Sequence, residues 1–437
     1  MPEPRTSNLE PRTSIPSCPH FGSCGGCQLQ HLTYAAQLRD KATQLRTHLE
    51  ATGLALPTLQ LHPSPPLAYR NRIRLTLAEV DGQLRAGYLR GSDSQNDTTP
   101  TFLPITECPI AAPILWRATE AILAQINQSA STWLSNPNQI PDQLELFTTA
   151  DESRLQLTLY LRTAAPQKKP ALPNKFTANF TALCESLRTR IPELAGAGIS
   201  LLPMLSRQRS RRNEQPRSGP TWGSPGLNYS IPTKSEVVIL SAVKNSRISP
   251  LPLPVLEPRT SNLEPATYWV PRGAFFQINR FLLPELLSLV TNNRTGQLAF
   301  DLYAGVGLFS RALAAQFTHV TAVEIAEPAA TALTATKPPN LHAVKATTLD
   351  FLRVAVTGRD RPDLIVLDPP RSGAGTEVCS LLARIAAPTL VYVSCSPETL
   401  PADLATLTAS GYTLAEMHLF DLFPQTTHIE TVAVLTR

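Results

Sequence analysis

Three apolar stretches in the last part of the chain each end on side chains that could do chemistry. Cys395 ends a β-branched run just before a proline turn. Asp368 ends a second apolar stretch, and Asp301 ends a third at the glycine-containing turn of residues 301–307. If the three stretches are neighbouring strands of an open α/β sheet, their ends face one crevice, which is where such sheets bind ligands.

The turn at residues 301–307, DLYAGVG, favours a cofactor that carries a nucleoside. Its glycines let the backbone approach a ligand, although an ordinary structural turn is the alternative. Glu324 ends the next predicted strand, where an acidic side chain can accept hydrogen bonds from a ribose. S-adenosylmethionine fits better than a dinucleotide, because the loop is short and lacks the third glycine of a pyrophosphate site.

The thiol of Cys395 suits covalent catalysis, although a core thiol is the alternative interpretation. A free thiol has a pKa of about 8.5, and its small thiolate fraction is strongly nucleophilic. Methylation at a carbon such as C5 of uracil needs a thiolate that adds to C6 and a base that removes the C5 proton. Glu430 is the candidate base, and His428, on the same predicted strand face, is the second candidate. The alternative is a surface glutamate.

Three cysteines near the N-terminus, Cys18, Cys24 and Cys27, have the spacing of a soft-metal site. Two glycines between them let the chain wrap, and either zinc or an iron–sulfur cluster fits three such thiolates. Cys108, which precedes a proline, is the natural fourth ligand. The seven cysteines also include Cys184 and Cys379, which lie in apolar helical contexts and are expected to be buried, inert thiols.

The bulk composition sets limits without identifying a partner. At 437 residues the chain is long enough for two or three domains, each with its own core. The formal net charge of +5 permits nucleic-acid binding without requiring it. No apolar run approaches a membrane span and no secretory signal is visible, so we expect a cytoplasmic protein that does not contact membranes.

Apolar runs and helical patterns alternate after residue 267 and predict a doubly wound parallel sheet that closes with two antiparallel strands. Shorter strands upstream predict a mostly β central domain. The segment EPRTSNLEP occurs twice, at residues 3–11 and 257–265, and each copy is expected to be a disordered insertion. The expected organisation is a disordered tail (1–17), a cysteine segment completed by Cys108 (18–55), a central domain (56–250), a linker insertion (251–266) and an α/β Rossmann-like domain (267–437).

Together these motifs resemble the bacterial iron–sulfur RNA uracil-C5 methyltransferases, which make 5-methyluridine in 23S ribosomal RNA. The similarity extends from residue 18 to residue 431 in the order of that family. It rests on CPHFGSCGGCQLQHLTYAAQ with Cys108, YRNRIRL at 69–75, GAFFQIN at 273–279, DLYAGVGLFS, DPPRSG, YVSCSPET and FPQTTHIET.

The resemblance implies a role for each motif. It implies a class I S-adenosylmethionine-dependent methyltransferase domain, Cys395 as the nucleophile and Glu430 as the base. It further implies a [4Fe-4S] cluster on the four cysteines Cys18, Cys24, Cys27 and Cys108, and cofactor contacts from Gln277, Tyr303, Glu324 and Asp368.

Two positions depart from the pattern of the family. Leu308 stands where asparagine is common, and Thr347 stands near a position usually taken by Asn or Asp on the cofactor side. Leu308 has no side-chain hydrogen-bonding group, so it cannot make the hydrogen bond that an asparagine would make there. Because the cysteines come so early in the sequence, we expect that the small N-terminal β-barrel that some members use to bind RNA is absent.

RNA is the expected partner, ribosomal in preference to transfer RNA, and the enzyme is expected to act as a monomer. Without that barrel, RNA binding would come from a basic loop and from arginines that alternate on a predicted strand. A merely solvated loop is the alternative for the first group. The two groups are Arg207, Arg209, Arg211, Arg212 and Arg217, and Arg70, Arg72 and Arg74. The target uridine must be flipped out of its stack to expose C5 and C6.

Two other functions compete with this one. A radical enzyme that cleaves S-adenosylmethionine needs an open iron site and a barrel fold, whereas this chain offers a fourth cysteine and a doubly wound domain. A zinc-bearing RNA-binding protein with a degenerate methyltransferase domain is the third possibility. For the methyltransferase we expect the cluster to be structural, holding the N-terminal segment against the central domain and shaping the RNA-binding surface.

Overall fold

The computed structural model describes residues 12–90, 101–128, 141–163, 174–203, 217–232, 237 and 267–437. Both copies of EPRTSNLEP and the expected linker at 251–266 lie outside these residues. Four arginines of the expected basic loop also lie outside them: Arg207, Arg209, Arg211 and Arg212.

Eight strands form the C-terminal sheet. They are β1 (Leu59–His62), β11 (Gly296–Leu302), β12 (Phe317–Val323), β13 (Leu341–Val344), β14 (Leu364–Leu367), β15 (Thr389–Ser394), β16 (Thr413–Phe420) and β17 (Glu430–Thr436). Their order is β1-β16-β17-β15-β14-β11-β12-β13. The strands from β11 to β15 pair in parallel, whereas β17 runs antiparallel to both of its neighbours. All four residues of β14 are buried, as expected for a central parallel strand.

Helices cover both faces of this sheet, so the predicted doubly wound α/β fold is confirmed. The sequence predicted the alternation but missed the short strand β13 and the helix that follows it. The helices are α4 (Leu283–Thr291), α5 (Leu308–Leu313), α6 (Glu327–Thr336), α7 (Thr348–Gly358), α8 (Thr376–Ile385) and α9 (Leu400–Ala409).

A second sheet of seven strands forms the central part of the molecule, in the order β4-β3-β2-β5-β6-β7-β8. Two helices share its apolar core, and neighbouring strands are antiparallel except β6 and β7. These elements are β2 (Arg72–Val80), β3 (Gln83–Arg90), β4 (Thr101–Pro104), β5 (Gln143–Thr148), β6 (Leu155–Thr163), β7 (Leu194–Pro203), β8 (Arg217–Gly223), α2 (Pro113–Gln128) and α3 (Asn174–Arg190). A separate two-stranded sheet, β9 (Gly226–Ser230) with β10 (Thr267–Pro271), packs against the core of the C-terminal sheet.

The boundary expected at residue 56 is corrected by the structure, because Leu59–His62 pairs with Met417–Phe420 as the edge strand of the C-terminal sheet. Helix α1 (Tyr34–Glu50) packs its apolar face onto the same domain. Residues 12–14, expected to belong to a disordered tail, pair with residues 31–33 through backbone hydrogen bonds and the Thr13–Leu32 bridge. The N-terminal part of the chain is thus built onto the C-terminal domain.

The expectation for the two cysteines outside the candidate sites is met. Cys184 and Cys379 are buried in apolar cores. Among the residues that the structure describes, no helix combines the length and the apolar composition needed to cross a membrane.

A buried ion pair joins α1 to the segment between β16 and β17. The Lys41 ammonium donates to Asp421 at 2.6 Å and to the carbonyl of Phe423 at 3.0 Å. The side chains of Lys41 and Asp421 are 2% and 0% exposed. Burial lowers the pKa of Lys41, and burial raises the pKa of Asp421, so each charge depends on the other. Removal of either partner alone leaves an uncompensated buried charge.

We therefore expect Lys41→Met to lower the free energy of unfolding by about 3–5 kcal/mol in urea denaturation. The double variant Lys41→Met/Asp421→Leu should recover most of this loss, because it removes the stranded carboxylate. The control is Arg353→Met, which breaks an exposed pair with Glu377 and should cost less than about 1 kcal/mol. Equal losses for Lys41→Met and Arg353→Met would contradict the assignment.

Candidate active site

The carboxyl ends of β11, β14 and β15 meet at one edge of the C-terminal sheet, as the sequence predicted. Leu302, Leu367 and Tyr392 lie in register across the three strands. Asp368 therefore directly follows β14 and Cys395 directly follows β15 at the same edge. Because β17 is antiparallel, it begins at this edge, and Thr431 pairs with Ser394. Glu430 is thereby placed next to Cys395.

The thiol of Cys395 lies in an acidic environment. Burial raises its pKa to about 11, and the carboxyls of Glu430 and Asp368 act in the same direction. Arg371, in the loop after β14, partly offsets them by favouring the thiolate. The thiol is therefore protonated in the resting protein, and it becomes a nucleophile when a neighbouring group takes its proton.

The carboxyl of Glu430 is only 3% exposed. Burial and the nearby Asp368 raise its pKa well above the usual value, while Arg371 opposes the shift. The pKa of Asp368 is also raised, by burial and by Asp301, and the amide of Gln277 partly compensates by donating to it at 3.4 Å. A carboxyl with a raised pKa is a stronger base once it is ionised, which suits proton removal from carbon.

His428, the second candidate for a base, is not on a strand. It is exposed in the turn before β17 and packs edge-on against Phe423. Burial of its ring and the positive charge of Arg371 lower its pKa.

The glycine turn has a left-handed backbone at three positions, with φ values of 62° at Tyr303, 57° at Gly305 and 89° at Gly307. Glu324 closes this turn by accepting from the amides of Gly305 at 2.8 Å and Ala326 at 2.5 Å. Each carboxylate oxygen has a second lone pair, so Glu324 can still accept a hydrogen bond from a ligand.

Asp301 is fully buried beside this turn. One carboxylate oxygen accepts from the amide of Ser310 at 2.8 Å and from its hydroxyl. The other, Oδ1, has no hydrogen-bond partner among the described residues. Burial raises the pKa of Asp301 to about 7 despite the Ser310 hydrogen bonds. A buried, unpartnered acceptor in a ligand crevice is a candidate contact for a donor or a cation.

The two positions that depart from the family pattern have structural roles. Leu308 is buried in the apolar core, and its carbonyl accepts from the hydroxyl of Tyr268 at 3.0 Å. Thr347 caps α7, with its hydroxyl accepting from the amide of Asp350 at 3.1 Å.

The four cysteines expected to bind metal line one cavity of about 120 Å³. Cys18, Cys24 and Cys27 come from the N-terminal segment, and Cys108 comes from the loop before α2. Arg70 also lines the cavity, and its buried Nε has no hydrogen-bond partner among the described residues. Across the same residues, no three His, Cys, Asp or Glu side chains converge closely enough to hold one metal ion.

The strand arginines do not form the single phosphate-binding row that the sequence suggested. Arg70 faces the cysteine cavity instead. Arg72 lies over the ring of Phe147 and pairs with Glu145 at 3.5 Å. Arg74 stacks on Tyr160 and is exposed, so it stays open to solvent.

Asp403, in the first turn of α9, was missed by sequence reasoning. Its carboxylate accepts from the amides of Ala374 at 2.8 Å and Gly375 at 3.1 Å, and from the hydroxyl of Tyr392 at 2.6 Å. It thereby ties the loop that carries Arg371 to the helix that follows Cys395. An isolated aspartate in a helix gives no such signal.

Lys41 and Gln37 were also missed, although a signal existed. Both lie on the buried face of α1 together with Leu45 and Leu49, at a spacing of four residues. Polar side chains on an apolar helix face indicate buried partners.

Comparison with known proteins agrees with this geometry. Residues 262–437 match the family model described as tRNA (Uracil-5-)-methyltransferase. The chain is 29% identical over 434 residues to the 23S rRNA (uracil(1939)-C(5))-methyltransferase RlmD of Chromohalobacter salexigens, covering 98% of this chain and 77% of that protein. It is 27% identical over 429 residues to an uncharacterized RNA methyltransferase of Thermotoga maritima, covering 97% and 84%.

A solved structure has the same fold. The tRNA (uracil-54, C5)-methyltransferase of Pyrococcus abyssi, in complex with S-adenosyl-L-homocysteine, superposes with a TM-score of 0.64 at 20% sequence identity. The superposition covers 94% of this chain and 86% of that chain. The C-terminal domain therefore matches the model of the uracil-C5 methyltransferase family, and the chain is similar to RNA uracil-C5 methyltransferases along nearly its whole length.

Proposed function

We propose that the protein transfers a methyl group from S-adenosylmethionine to C5 of a uridine in RNA, with Cys395 as the nucleophile and Glu430 as the base. The observation that carries this proposal is the register of β15 and β17, which places a thiol and a buried carboxyl side by side at the ligand-binding edge of the sheet. The two groups needed for covalent activation of uracil thus come from adjacent strands.

Ribosomal RNA is the proposed substrate, in preference to transfer RNA. The relative in Chromohalobacter, which matches 98% of this chain, is named for 23S rRNA. The family model, which matches only residues 262–437, and the Pyrococcus structure are both named for tRNA. Transfer RNA is therefore the second candidate for the same chemistry. All the groups proposed to act come from one chain, which supports action as a monomer.

Gln277, Tyr303, Glu324 and Asp368 are the proposed contacts of S-adenosylmethionine, which supplies an electrophilic methyl group when it is bound. Three acids around the crevice, the buried Asp301 and Glu430 and the half-buried Asp368, suit a ligand with positive charge. The unpartnered oxygen of Asp301 offers one further acceptor. The glycine turn supplies the close backbone approach that such a ligand needs.

The steps assigned to the protein begin when the Cys395 thiol gives its proton to the neighbouring carboxylate of Asp368 and the thiolate adds to C6 of the uracil ring. The addition makes C5 nucleophilic, so C5 can take up the methyl group as the bond between that group and the sulfonium sulfur breaks. Glu430 then accepts the C5 proton, the C5–C6 double bond forms again, and the Cys395 sulfur leaves as thiolate. Arg371 stabilises the thiolate before addition and after release.

We also propose that Cys18, Cys24, Cys27 and Cys108 hold a [4Fe-4S] cluster. The support for this proposal is that the four thiols line one cavity, as the four cysteine ligands of such a cluster would. Arg70 lines the same cavity, and its buried Nε has no hydrogen-bond partner among the described residues, so it is a candidate donor to sulfur there. A radical reaction is disfavoured by the fold, since the C-terminal domain is a doubly wound sheet and not a barrel.

Replacement of the nucleophile tests the covalent mechanism. We expect Cys395→Ala to lower methyl transfer by at least about 10³-fold, because no other group can activate C6. The measurement is transfer of a tritiated methyl group from S-adenosylmethionine to a 23S rRNA transcript. Cys184→Ala, which removes a buried thiol in the core of the central sheet, is the matched control and should stay active. Undiminished transfer by Cys395→Ala would rule out the mechanism.

Replacement of the base tests the last step. We expect Glu430→Gln to form the bond between Cys395 and C6 but to lose turnover by about 10²–10⁴-fold, since nothing accepts the C5 proton. The methylated RNA should stay attached to the protein on a denaturing gel. Glu377→Gln, at an exposed glutamate, should turn over normally without such an adduct. Loss of turnover without an adduct would assign proton removal to another group.

Metal analysis tests the cysteine cavity. Protein purified without oxygen should contain about four iron and four sulfide ions per chain, and Cys24→Ser should lose most of them. Cys184→Ala, which alters a buried thiol in the central core, should retain them. Zinc without iron in the wild-type protein would support the zinc-bearing alternative.

A further inference from the structure

The turn that leads into Glu430 has an unusual backbone conformation and is fixed by hydrogen bonds from remote parts of the chain. Gln425 has a φ of 68°, in the left-handed region that few side chains adopt. Such a conformation is strained and persists where surrounding contacts over-determine it. Glu430 is the first residue of β17, so strand pairing fixes the chain only on its C-terminal side. The turn must fix the other side.

Four successive carbonyls of this segment accept hydrogen bonds from remote parts of the chain. Leu422 accepts from Asn279 at 3.1 Å, and Phe423 accepts from Lys41 at 3.0 Å. Pro424 accepts from the hydroxyl of Tyr69 at 3.0 Å. Gln425 accepts from the amides of Gln28 and Leu29 at 2.9 and 3.0 Å. The path of residues 422–425 is therefore set by contacts that the segment cannot make alone.

Gln37 hydrogen-bonds both to the turn and to the cysteine segment. Its side-chain amide donates to Oε1 of Gln425 at 2.9 Å, and its own Oε1 accepts from the backbone N–H of Gln425 at 3.0 Å. The same amide group donates to the carbonyls of Leu29 and Leu32, each at 3.1 Å. Gln37 is 1% exposed, so these hydrogen bonds are shielded from water. One side chain thus binds both the cysteine segment and the turn.

The same contacts connect the turn to the cysteine cavity. Gln28 directly follows Cys27, and Tyr69 directly precedes Arg70, and both Cys27 and Arg70 line the cavity. Two residues that fix the turn are therefore adjacent in sequence to residues that line the cavity. A shift of the cysteine segment moves the donors to Gln425 with it.

We propose that Gln37 is a positioning residue for Glu430: together with the amides of Gln28 and Leu29 it holds the turn at Gln425 and so aims the carboxyl at the substrate. This inference rests on the proposed function of Glu430. It gives the N-terminal cysteine segment a role in the last step of the reaction, beyond its attachment to the central domain.

The order of the proposed steps makes the role measurable. Cys395 follows β15, whereas the hydrogen bonds of Gln37 go to the turn at Gln425 and to the cysteine segment. Thiolate addition and methylation should therefore continue when Gln37 is altered. Removal of the C5 proton comes afterwards and depends on the placement of Glu430. A misplacement of about 1 Å can slow a catalytic step by about 100-fold. The Cys395–RNA adduct should then accumulate, which a general loss of stability would not cause.

The experiment compares Gln37→Ala with Glu430→Gln and with the control Gln156→Ala. Gln156 is also a buried glutamine that donates to a backbone carbonyl, that of Ser224 at 3.0 Å, but it lies in the central sheet. Each variant is incubated with S-adenosylmethionine and a 23S rRNA transcript, and the adduct is quantified on a denaturing gel. Hydrogen exchange of residues 425–430 is followed in the free proteins.

We expect Gln37→Ala to lower turnover by about 10- to 100-fold, to accumulate the methylated adduct and to lose exchange protection in residues 425–430. Gln156→Ala should do none of these. If Gln37→Ala does not fold, Gln37→Met, which keeps the side-chain length, takes its place.

Two outcomes would overturn the inference and are distinguishable. If Glu430→Gln accumulates the adduct and Gln37→Ala does not, Gln37 does not position the base, and the proposed function stands. If neither accumulates it, the assignment of Glu430 fails and the inference fails with it.

Discussion

In the C-terminal sheet the strands from β11 to β15 run parallel, and β17 is inserted between β15 and β16 in the opposite direction. This reversal is the constraint on which the candidate site depends. The parallel strands end at the crevice, whereas β17 starts there, so its first residue, Glu430, comes beside Cys395. A parallel strand in the same place would put its N-terminal end at the opposite edge of the sheet.

The reversal also brings several carboxyl groups together at the crevice. The carboxyls of Asp301, Asp368 and Glu430 lie close to one another and to the thiol of Cys395, and loss of hydration raises the pKa of each group. The folded chain bears the cost of desolvating these groups and offsets it only in part through Arg371, Gln277 and Ser310. A positively charged ligand in the crevice would favour the ionised acids, so burial of these acids and affinity for such a ligand are linked.

The N-terminal segment is built into the C-terminal domain and is not a separate attachment. It lines the cysteine cavity, contributes α1 and β1 to the C-terminal domain, and supplies donors to the turn before Glu430. The buried ion pair of Lys41 and Asp421 strengthens this connection, because the loss of one partner would leave the other charge buried and uncompensated. The placement of Glu430 therefore depends on chain segments at both ends of the sequence.

The sequence by itself determined the features that depend on local pattern. Alternating apolar runs and helices predicted the doubly wound domain, and the strand ends at Asp301, Asp368 and Cys395 were correctly expected at one crevice. The spacing of Cys18, Cys24 and Cys27 correctly indicated that they lie together, with Cys108 as the fourth. Periodicity and turn chemistry reside in neighbouring residues, which is why these features are readable.

Only the tertiary structure decided which remote segments meet. Leu59–His62 joined the C-terminal sheet because β16 offered an unpaired edge, although its sequence position suggested the central domain. Arg70 lines the cysteine cavity, whereas Arg72 pairs with Glu145 and Arg74 stacks on Tyr160 in the central sheet. Gln37 meets Gln425 across 388 residues of chain. Such contacts depend on how whole layers pack, because their free energy comes from desolvated partners that no local pattern specifies.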